Sequence, residues 1–305
     1  MFNKITSFIK MTRIQFVLPG ILPFTLGSLA GLRLQNVFNI NLYLLCLTGI
    51  ILIMIMGFTT NEYVDYEADK RNKTSTQFSG GSKVLIENKL SRKTALISGI
   101  IFGLIFLVFI VSLYFIYFYK SYPLLIIFGI IGFIVGIAYG DPPFKLSYKG
   151  LGEILTGFGC GYLALASGYY ISAGRIDIIP FLLSIPPALT VFCLAFINAY
   201  PDIESDRISG KKTLPVKYGI KNMNIVFIFS IIISNLFLII NPIFIPGMSK
   251  LIYIYILPFL IISILAITHL LSKKKLSIQF FERISIFTLL LMVLASLTQI
   301  ISFVI

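Results

Sequence analysis

The chain has 305 residues, of which 57% are hydrophobic and 12% are charged, and its formal net charge is +13. A soluble domain of this size would leave large apolar patches in water, so the composition excludes that class and indicates a polytopic α-helical membrane protein. The basic residues are dispersed along the loops with no nucleic-acid-binding module around them, so no nucleic-acid partner is expected.

Apolar runs long enough to cross a bilayer, about 20 residues each, recur along the chain. They predict one domain over residues 1–305 with nine transmembrane helices, at 14–33, 40–60, 95–118, 123–140, 151–173, 178–199, 224–245, 251–271 and 284–304. Pro19 and Pro23 interrupt the first run, and neighbouring helices can accommodate them. The fold class predicted is therefore all-α.

The basic residues alternate between the segments that join these runs. The N-terminal segment and every second loop hold 21 of the 25 Lys and Arg residues, and the other loops hold 4. The positive-inside rule then predicts a multi-pass protein of the cell membrane with a cytoplasmic N-terminus and an external C-terminus. Contact with anionic lipid heads is a second expected effect of this charge. No obligate protein partner is indicated.

Seven of the twelve acidic residues fall in two short stretches, at 61–69 and 202–206, which follow the second and sixth predicted helices on the cytoplasmic side. Carboxylates are costly in a membrane protein unless they are paired, hydrated or bound to metal. In each half of the chain an Asn precedes an Asp by four residues, so the motifs at 61–69 and 198–206 form a weak internal repeat. Such repeats place a shared site at their interface. The plainer interpretation is that each stretch is only the solvated end of a helix.

Residues four apart share one face of a helix, so each motif predicts a polar stripe. The first stripe is Asn61, Asp65 and Asp69, and the second is Asn198, Asp202 and Asp206. Mg²⁺ binds through one or two carboxylates and completes its octahedron with waters and phosphate oxygens. Two facing stripes therefore predict two Mg²⁺ ions with a diphosphate between them.

The loops after the stripes supply positive charge, from Arg71, Lys73 and Lys83 after the first and from Arg207, Lys211 and Lys212 after the second. A diphosphate clamped by metal is a better leaving group because its developing charge is neutralised. An allylic prenyl group would then ionise to a carbocation, which the π faces of aromatic rings stabilise. The rings expected to line that pocket are Tyr63, Tyr139 and Tyr200.

These motifs resemble those of the UbiA family of intramembrane prenyltransferases, which carry N-D-x-x-D-x-x-x-D after the second helix and D-x-x-x-D after the sixth of nine. Here they read N-E-Y-V-D-Y-E-A-D at 61–69 and D-I-E-S-D at 202–206. The resemblance implies Mg²⁺-dependent transfer of a prenyl group from its diphosphate to an acceptor, usually an aromatic ring. It also implies a central cavity that opens to lipid and has a cytoplasmic cap.

The resemblance assigns roles residue by residue. Arg13 matches the arginine that opens the first helix, although Ile14 follows it where the family has proline, and Lys145 matches a basic residue after the fourth helix. Glu62 stands where most members have Asp and is not expected to bind metal directly. The predicted metal ligands are the six residues of the two stripes. The predicted catalytic residues are Asp65, Asp69, Asp202, Asp206, Tyr139 and Lys145, and the predicted substrate-binding residues are Arg13, Asn61, Arg71, Lys83, Asn198, Tyr200 and Lys211.

Residues 78–85 and 210–216 resemble the branch of the family that prenylates 1,4-dihydroxy-2-naphthoate in menaquinone synthesis. The expected reaction joins a long isoprenyl group to an aromatic quinone precursor. Ether-lipid synthesis, with geranylgeranylglyceryl phosphate as the acceptor, is the alternative within this chemistry. A membrane cation transporter is the alternative of another class, although the predicted spans contain almost no acids of the kind an ion path requires.

Two further acids, Asp141 and Glu153, flank the loop between the fourth and fifth predicted helices. Either side chain could face the cavity and accept a proton from the acceptor. Structural roles are the alternative for both, since Asp141 precedes two prolines that end a helix and Glu153 stands where the next helix starts.

Overall fold

The structure is a computed structural model that describes residues 2–35, 38–118, 121–272 and 276–305. Within these ranges the regular elements are all helical, so the all-α prediction is confirmed. In chain order the helices are α1 Phe2–Thr12, α2 Leu18–Gln35, α3 Ile40–Val64, α4 Tyr66–Arg71, α5 Arg92–Leu113, α6 Leu124–Gly140, α7 Gly152–Ala173, α8 Ile179–Asn198, α9 Ile203–Ile208, α10 Leu214–Phe244, α11 Ile252–Leu271 and α12 Ile278–Val304.

Each of the nine predicted apolar runs overlaps a helix of this structure. Among the described residues, seven helices are long and apolar enough to cross a membrane: α3, α5, α7, α8, α10, α11 and α12. An eighth span results if α2 is counted together with the bent segment before it. The helix α6 is apolar but has only 17 residues. The count of nine therefore remains a prediction, whereas the multi-pass helical architecture is established.

The N-terminal segment differs from the predicted single run at 14–33. Arg13 adopts a left-handed backbone conformation (φ 48°), a short 3₁₀ turn follows, and α2 begins only at Leu18. The segment Lys4–Phe16 meets α2 at an angle of 45°. This break separates a surface helix, α1, from the span and brings the Arg13 side chain to the end of the bundle where α3 and α8 terminate. We call that end the aspartate end.

Glycines allow the closest helix contact, between α2 and α7. A β-carbon on Gly27 would overlap the carbonyl oxygen of Leu165, and one on Gly168 would overlap that of Phe24. Small residues permit such backbone approach in membrane bundles, where packing rather than the hydrophobic effect holds helices together. The result is a tight pair from which α3, α5 and α6 extend on one side and α8, α10, α11 and α12 on the other.

A cavity lies between these two groups of helices, with walls from α2, α3, α5, α6, α7 and α8. Along α3 its lining extends from Asn61 to Cys46, a rise of about 22 Å at 1.5 Å per residue. In α7 the residues Gly157–Leu163 form π-type turns, which occur often at functional sites. Gly159, Cys160 and Leu163 of this segment line the cavity.

Candidate active site

The two acidic motifs meet at the aspartate end. The helices α3 and α8 stop at Val64 and Asn198, and the short helices α4 and α9 that follow them contact each other. As a result, all six stripe residues face the same cavity: Asn61, Asp65, Asp69, Asn198, Asp202 and Asp206. The structure thus brings together two motifs whose matching residues are 137 positions apart in the chain.

Asp65 is held by three donors from three parts of the chain. Lys211 Nζ lies 2.7 Å from Asp65 Oδ2, and Asn61 Nδ2 donates to the same oxygen at 3.0 Å. The Tyr148 hydroxyl donates to Asp65 Oδ1 at 3.0 Å. Because Asp65 is only 4% exposed, these contacts replace the water that a carboxylate would otherwise bind.

The loop over residues 72–91 covers the second motif. Asn72 Nδ2 donates to Asp202 Oδ1 at 2.6 Å, and the Gly80 backbone N–H donates to Asp202 Oδ2 at 3.1 Å. Gly80 and Gly81 both have φ of +68°, which favours glycine. A β-carbon on Gly81 would overlap the Asp69 carboxylate, so this loop approaches the site as closely as its backbone permits.

Glu62 fastens the same loop and does not line the cavity. Its two carboxylate oxygens accept hydrogen bonds from the backbone N–H and the hydroxyl of Ser82, both at 2.7 Å. Arg13, whose side chain reaches the cavity wall, lies 4.0 Å from Glu62. This geometry agrees with the expectation that Glu62 is not a direct metal ligand.

The site holds more acid than base. Burial, and next the charge of Asp65, raise the pKa of Asp69 well above its usual range. Burial also raises the pKa of Asp202, and it raises the pKa of Asp206 to about 7. Burial alone would lower the pKa of Lys211, but the Asp65 and Asp206 carboxylates outweigh it and raise that pKa above its ordinary value. Lys211 therefore stays charged, and the cluster favours the binding of further cations.

The donor set fits Mg²⁺ shared with a phosphate ligand. Asn61 Oδ1 and Asn198 Oδ1 are buried and have no hydrogen-bond partner in the described part of the chain. They offer hard oxygens beside the aspartates. No three carboxylate, imidazole or thiol groups converge as a closed metal cage among the described residues. Mg²⁺ does not need such a cage, because one or two carboxylates plus waters and phosphate oxygens complete its coordination.

Beyond Asn61 the described cavity lining carries no charged side chain. Its width comes from glycines on the surrounding helices, namely Gly20, Gly49, Gly57, Gly129, Gly132, Gly136 and Gly159. A β-carbon on Gly57 would meet no atom within 4 Å, so open space lies directly against that backbone. The aspartate end is thus the polar mouth of a deep apolar cavity, and Tyr139 lines it near that mouth.

Several residues predicted from the sequence lie elsewhere. Tyr200 does not face the cavity: it is 2% exposed, its hydroxyl donates to Asn224 Oδ1 at 2.8 Å, and its ring packs among α8, α10 and α12. Tyr63 instead stacks beneath the Arg92 guanidinium, 4.6 Å from the ring centroid. The orientation predicted for both rings was wrong, because a helix end that is apolar on several sides does not reveal which side faces the cavity.

Three predicted cations are not part of the cavity wall. Lys145 has a left-handed backbone (φ 43°), and its Nζ lies 5.2 Å from the centroid of the Tyr148 ring. Arg71 is exposed at the end of α4, and Lys83 Nζ lies beside Gly80 in the covering loop. Their contact with a bound diphosphate therefore stays a prediction, while Arg13 and Lys211 do line the cavity.

Two residues that bind the aspartates directly were not predictable from a motif, Tyr148 and Asn72. Neither belongs to a motif: Tyr148 lies in a short 3₁₀ turn after α6, and Asn72 ends α4. The one signal for Asn72 was its position, since it is a hydrogen-bonding residue three positions after Asp69. No comparable pattern marked Tyr148.

The raised pKa values predict that stability without divalent cations falls as the pH rises. Asp206 keeps its proton to about pH 7 in the folded state, whereas it loses it near pH 4 when unfolded. The folded state therefore binds more protons in this window, and its free energy of unfolding decreases with pH. In detergent with EDTA we expect the melting temperature to drop by at least about 2 °C between pH 5 and 7.5, the shift that roughly 1 kcal/mol produces. Mg²⁺ should reduce this drop.

Asp206→Asn is the control for this measurement, since it removes the ionising group at nearly constant size. The variant should show a flatter melting profile in EDTA over the same pH range. A wild-type melting temperature that stays constant or rises from pH 5 to 7.5 in EDTA would contradict the electrostatic account of the site.

Comparisons with known proteins agree with this geometry. The profile of the UbiA prenyltransferase family matches residues 21–297. The 1,4-dihydroxy-2-naphthoate octaprenyltransferase of Bacillus subtilis is 25% identical over 213 residues, which cover 70% of this chain and 66% of that protein. The UbiA prenyltransferase domain-containing protein 1 of Homo sapiens is 26% identical over 224 residues, 71% of this chain and 62% of that protein. The matches thus span less than two thirds of these relatives.

Solved structures share the fold over nearly the whole chain. A UbiA homologue from Archaeoglobus fulgidus bound to DMAPP and Mg²⁺ matches with a TM-score of 0.60 and 18% identity, covering 96% of this chain and 98% of that one. A structure described as digeranylgeranylglyceryl phosphate synthase in membranes matches with a TM-score of 0.67 and 20% identity, covering 99% of each chain. With a profile match across most of its length, paired aspartate motifs and a shared helical fold, this chain belongs to the UbiA prenyltransferase family.

Proposed function

We propose that the protein transfers a long isoprenyl group from its diphosphate to an aromatic quinone precursor, with Mg²⁺, most simply two ions, at the aspartate end. The observation that carries this proposal is one juxtaposition: four aspartates, with Lys211 and Arg13 as the cations of the described lining, stand at the mouth of a deep apolar cavity. An isoprenyl diphosphate matches this cavity, because its head is charged and its tail is apolar.

The proposed head site uses Asp65 and Asp69 on one side and Asp202 and Asp206 on the other, with Asn61 and Asn198 as further oxygen donors. Bound Mg²⁺ would neutralise the diphosphate as the carbon–oxygen bond breaks. Lys211, whose Nζ lies beside Asp65, and Arg13 in the cavity wall add donors for the departing charge. The covering loop excludes water from the ionised chain, which protects an allylic cation from hydrolysis.

The apolar cavity fits the isoprenoid tail. The rings of Phe106, Phe109 and Phe128 line its depth, and Tyr139 lies close to the head site. Such π faces stabilise a carbocation, so Tyr139 is the ring best placed to face the reacting carbon. The depth of about 22 Å along α3 favours a long donor over a single isoprene unit.

The curated relatives favour a naphthoate acceptor, because their names include 1,4-dihydroxy-2-naphthoate octaprenyltransferase and 2-carboxy-1,4-naphthoquinone phytyltransferase. The neighbour described as digeranylgeranylglyceryl phosphate synthase shares the fold and keeps the ether-lipid acceptor as the second candidate. The transporter alternative is not favoured, since the described cavity lining beyond Asn61 offers no charged group for a cation.

The alternation of basic residues supports a cytoplasmic aspartate end. The segments with most of the 25 Lys and Arg residues include the loops that follow α4 and α9, both at this end. A head site there would release diphosphate to the cytoplasm, while the tail lies in the apolar cavity of the bundle.

The test is prenyl transfer by the purified protein in lipid, with labelled geranylgeranyl diphosphate and Mg²⁺. The acceptor panel is 1,4-dihydroxy-2-naphthoate, 4-hydroxybenzoate, homogentisate and geranylgeranylglyceryl phosphate. We expect product with the naphthoate, loss of product in EDTA, and a loss of about 100-fold or more in kcat for Asp65→Asn and Asp202→Asn, because each removes charge from the head site.

Glu204→Gln is the matched control, because Glu204 belongs to the second motif but is 75% exposed and pairs with Arg207 at the surface. It should retain wild-type turnover. Product with geranylgeranylglyceryl phosphate alone would replace the naphthoate by the ether-lipid acceptor. Turnover that persists in EDTA, or an equal loss in Glu204→Gln, would contradict the proposed head site.

A second prediction concerns the tail. A β-carbon on Gly49, deep in the cavity, would lie 3.6 Å from the rings of Phe106 and Phe109, an ordinary contact. Gly49→Leu should therefore fold and shorten the cavity. We expect its kcat/KM ratio for geranyl over geranylgeranyl diphosphate to rise about tenfold or more above that of the wild type, because the longer tail loses its space.

Gly57→Leu is the comparison for this variant. Gly57 stands one turn from Asn61 and next to open space, so a leucine there blocks the cavity near its mouth. In Gly57→Leu, turnover of geranyl diphosphate and of geranylgeranyl diphosphate should fall by the same factor. If Gly49→Leu leaves the geranyl-to-geranylgeranyl ratio at the wild-type value, the tail does not occupy the cavity along α3.

A further inference from the structure

A second polar group lies in the cavity wall beside the head site and takes no part in it. Its members are Ser147, Glu153 and Thr213, which are 2%, 5% and 5% exposed. In each, one side-chain oxygen is buried without a hydrogen-bond partner among the described residues: Ser147 Oγ, Glu153 Oε2 and Thr213 Oγ1. Buried polar atoms without partners are rare and costly, so three of them in one cavity wall mark a place where a polar ligand would be stabilised.

Local contacts hold this group together. Leu214, the first residue of α10, donates its backbone N–H to Glu153 Oε1 at 2.8 Å, which places Thr213 next to Glu153. A β-carbon on Gly152, the residue before Glu153, would lie 2.9 Å from Ser147 Cβ and 3.1 Å from Tyr139 Cε2. The carboxylate is therefore fixed through Oε1, while Oε2 has no partner in the described residues, and the start of α7 that carries it packs against Ser147 and Tyr139.

The second polar group lies close enough to the head site to contact a molecule that reacts there. Glu153 interacts electrostatically with Lys211 and with Asp206, both of which line the cavity. Apart from the aspartates of the two stripes, Glu153 is the one carboxylate in the described cavity lining. Asp141, the other acid of this loop, does not line it.

We propose that Glu153 Oε2, with the hydroxyls of Ser147 and Thr213, binds the ring hydroxyl of the acceptor and takes its proton during transfer. This inference rests on the proposed function and assigns the acceptor class: an aromatic ring with a free hydroxyl next to the carbon that is alkylated. Ser147 and Thr213 each offer both a donor and an acceptor, so they fix the hydroxyl while Glu153 acts as general base.

Transfer exchanges the prenyl group's bond to oxygen for a bond to the ring carbon. The bond between C1 of the prenyl group and oxygen breaks, and its electron pair leaves with the diphosphate. A π pair of the ring forms the new carbon–carbon bond to C1, the hydroxyl O–H pair becomes the carbonyl π bond, and the proton moves to Glu153 Oε2. When the alkylated carbon carries a carboxylate, loss of CO₂ returns an electron pair to the ring, and Glu153 gives the proton back to the oxygen.

The test uses Glu153→Gln in the full-length protein. Glutamine keeps the acceptor for the Leu214 N–H but presents an N–H donor where Oε2 was, so it cannot take a proton. We expect kcat with 1,4-dihydroxy-2-naphthoate to fall about 100-fold or more, while Mg²⁺-dependent binding of a non-ionising thiodiphosphate donor analogue stays within about twofold of the wild type. Asp141→Asn, in the same loop, should keep the wild-type rate.

Acceptors of graded hydroxyl acidity separate a base from a structural residue. Ring-halogenated naphthols, whose hydroxyl ionises without help, should recover most of the lost rate in Glu153→Gln. If the wild type turns over and the Glu153→Gln rate lies within about threefold of the wild-type rate, the inference is overturned. It is also overturned if Glu153→Gln loses the same factor in rate with every acceptor, whatever the acidity of the hydroxyl. A wild-type protein that transfers to no aromatic acceptor would instead defeat the proposed function.

Thr213→Val and Ser147→Ala keep the inference testable if Glu153→Gln fails to bind the donor analogue and is judged misfolded. Each removes one hydroxyl without touching the carboxylate. We expect each to raise the acceptor KM about tenfold while the donor KM stays unchanged. Unchanged acceptor KM values in both variants would overturn the assignment of this wall to the acceptor.

Discussion

The ion pair between Lys211 and Asp65 is the interaction on which the site depends. It joins residues 146 positions apart, its two side chains are 12% and 6% exposed, and its nitrogen and oxygen are 2.7 Å apart. Removing one partner of a buried pair typically costs about 3–5 kcal/mol, because the other charge is left without compensation. The pair therefore fixes the two motifs across the cavity and still leaves the remaining aspartates short of positive charge.

Because positive charge is short at the aspartate end, neutral donors stabilise the other carboxylates. Asn72 and the Gly80 N–H satisfy Asp202, and Ser82 satisfies Glu62, so a single loop both covers the site and supplies neutral donors instead of cations. Without a ligand, protons balance part of the remaining charge, because burial raises the pKa of Asp69 and of Asp206. Divalent cations that arrive with a ligand can replace those protons. A site of this kind selects its ligand by the charge of the head group at the mouth and by the shape of the tail deeper in the cavity. Glycines on α2, α3, α6 and α7 leave the room for that tail.

The sequence predicted much of this because two of its signals are strong. The length and polarity of the apolar runs identified the helices, and the matched spacing of the two Asn and Asp sets predicted that these residues lie together. The single helix face predicted for each set was wrong, because α3 ends at Val64 and α8 ends at Asn198, within the motifs. The sequence could not predict how each helix is rotated about its axis or which path the loops take. Tyr200 follows an apolar helix with no polar face to orient it, and it packs into the core. Tyr148 reaches Asp65 from a short turn whose course no periodicity encodes.

The central claim is that the aspartate cluster binds a diphosphate only together with divalent cations. Calorimetric titration of the protein in detergent with geranylgeranyl thiodiphosphate, in the presence of Mg²⁺ and then of EDTA, tests it most directly. We predict saturable binding with Mg²⁺ and an affinity at least about 100-fold lower in EDTA, since without divalent cations nothing bridges the diphosphate to the aspartates. Equal affinity in both conditions would contradict it.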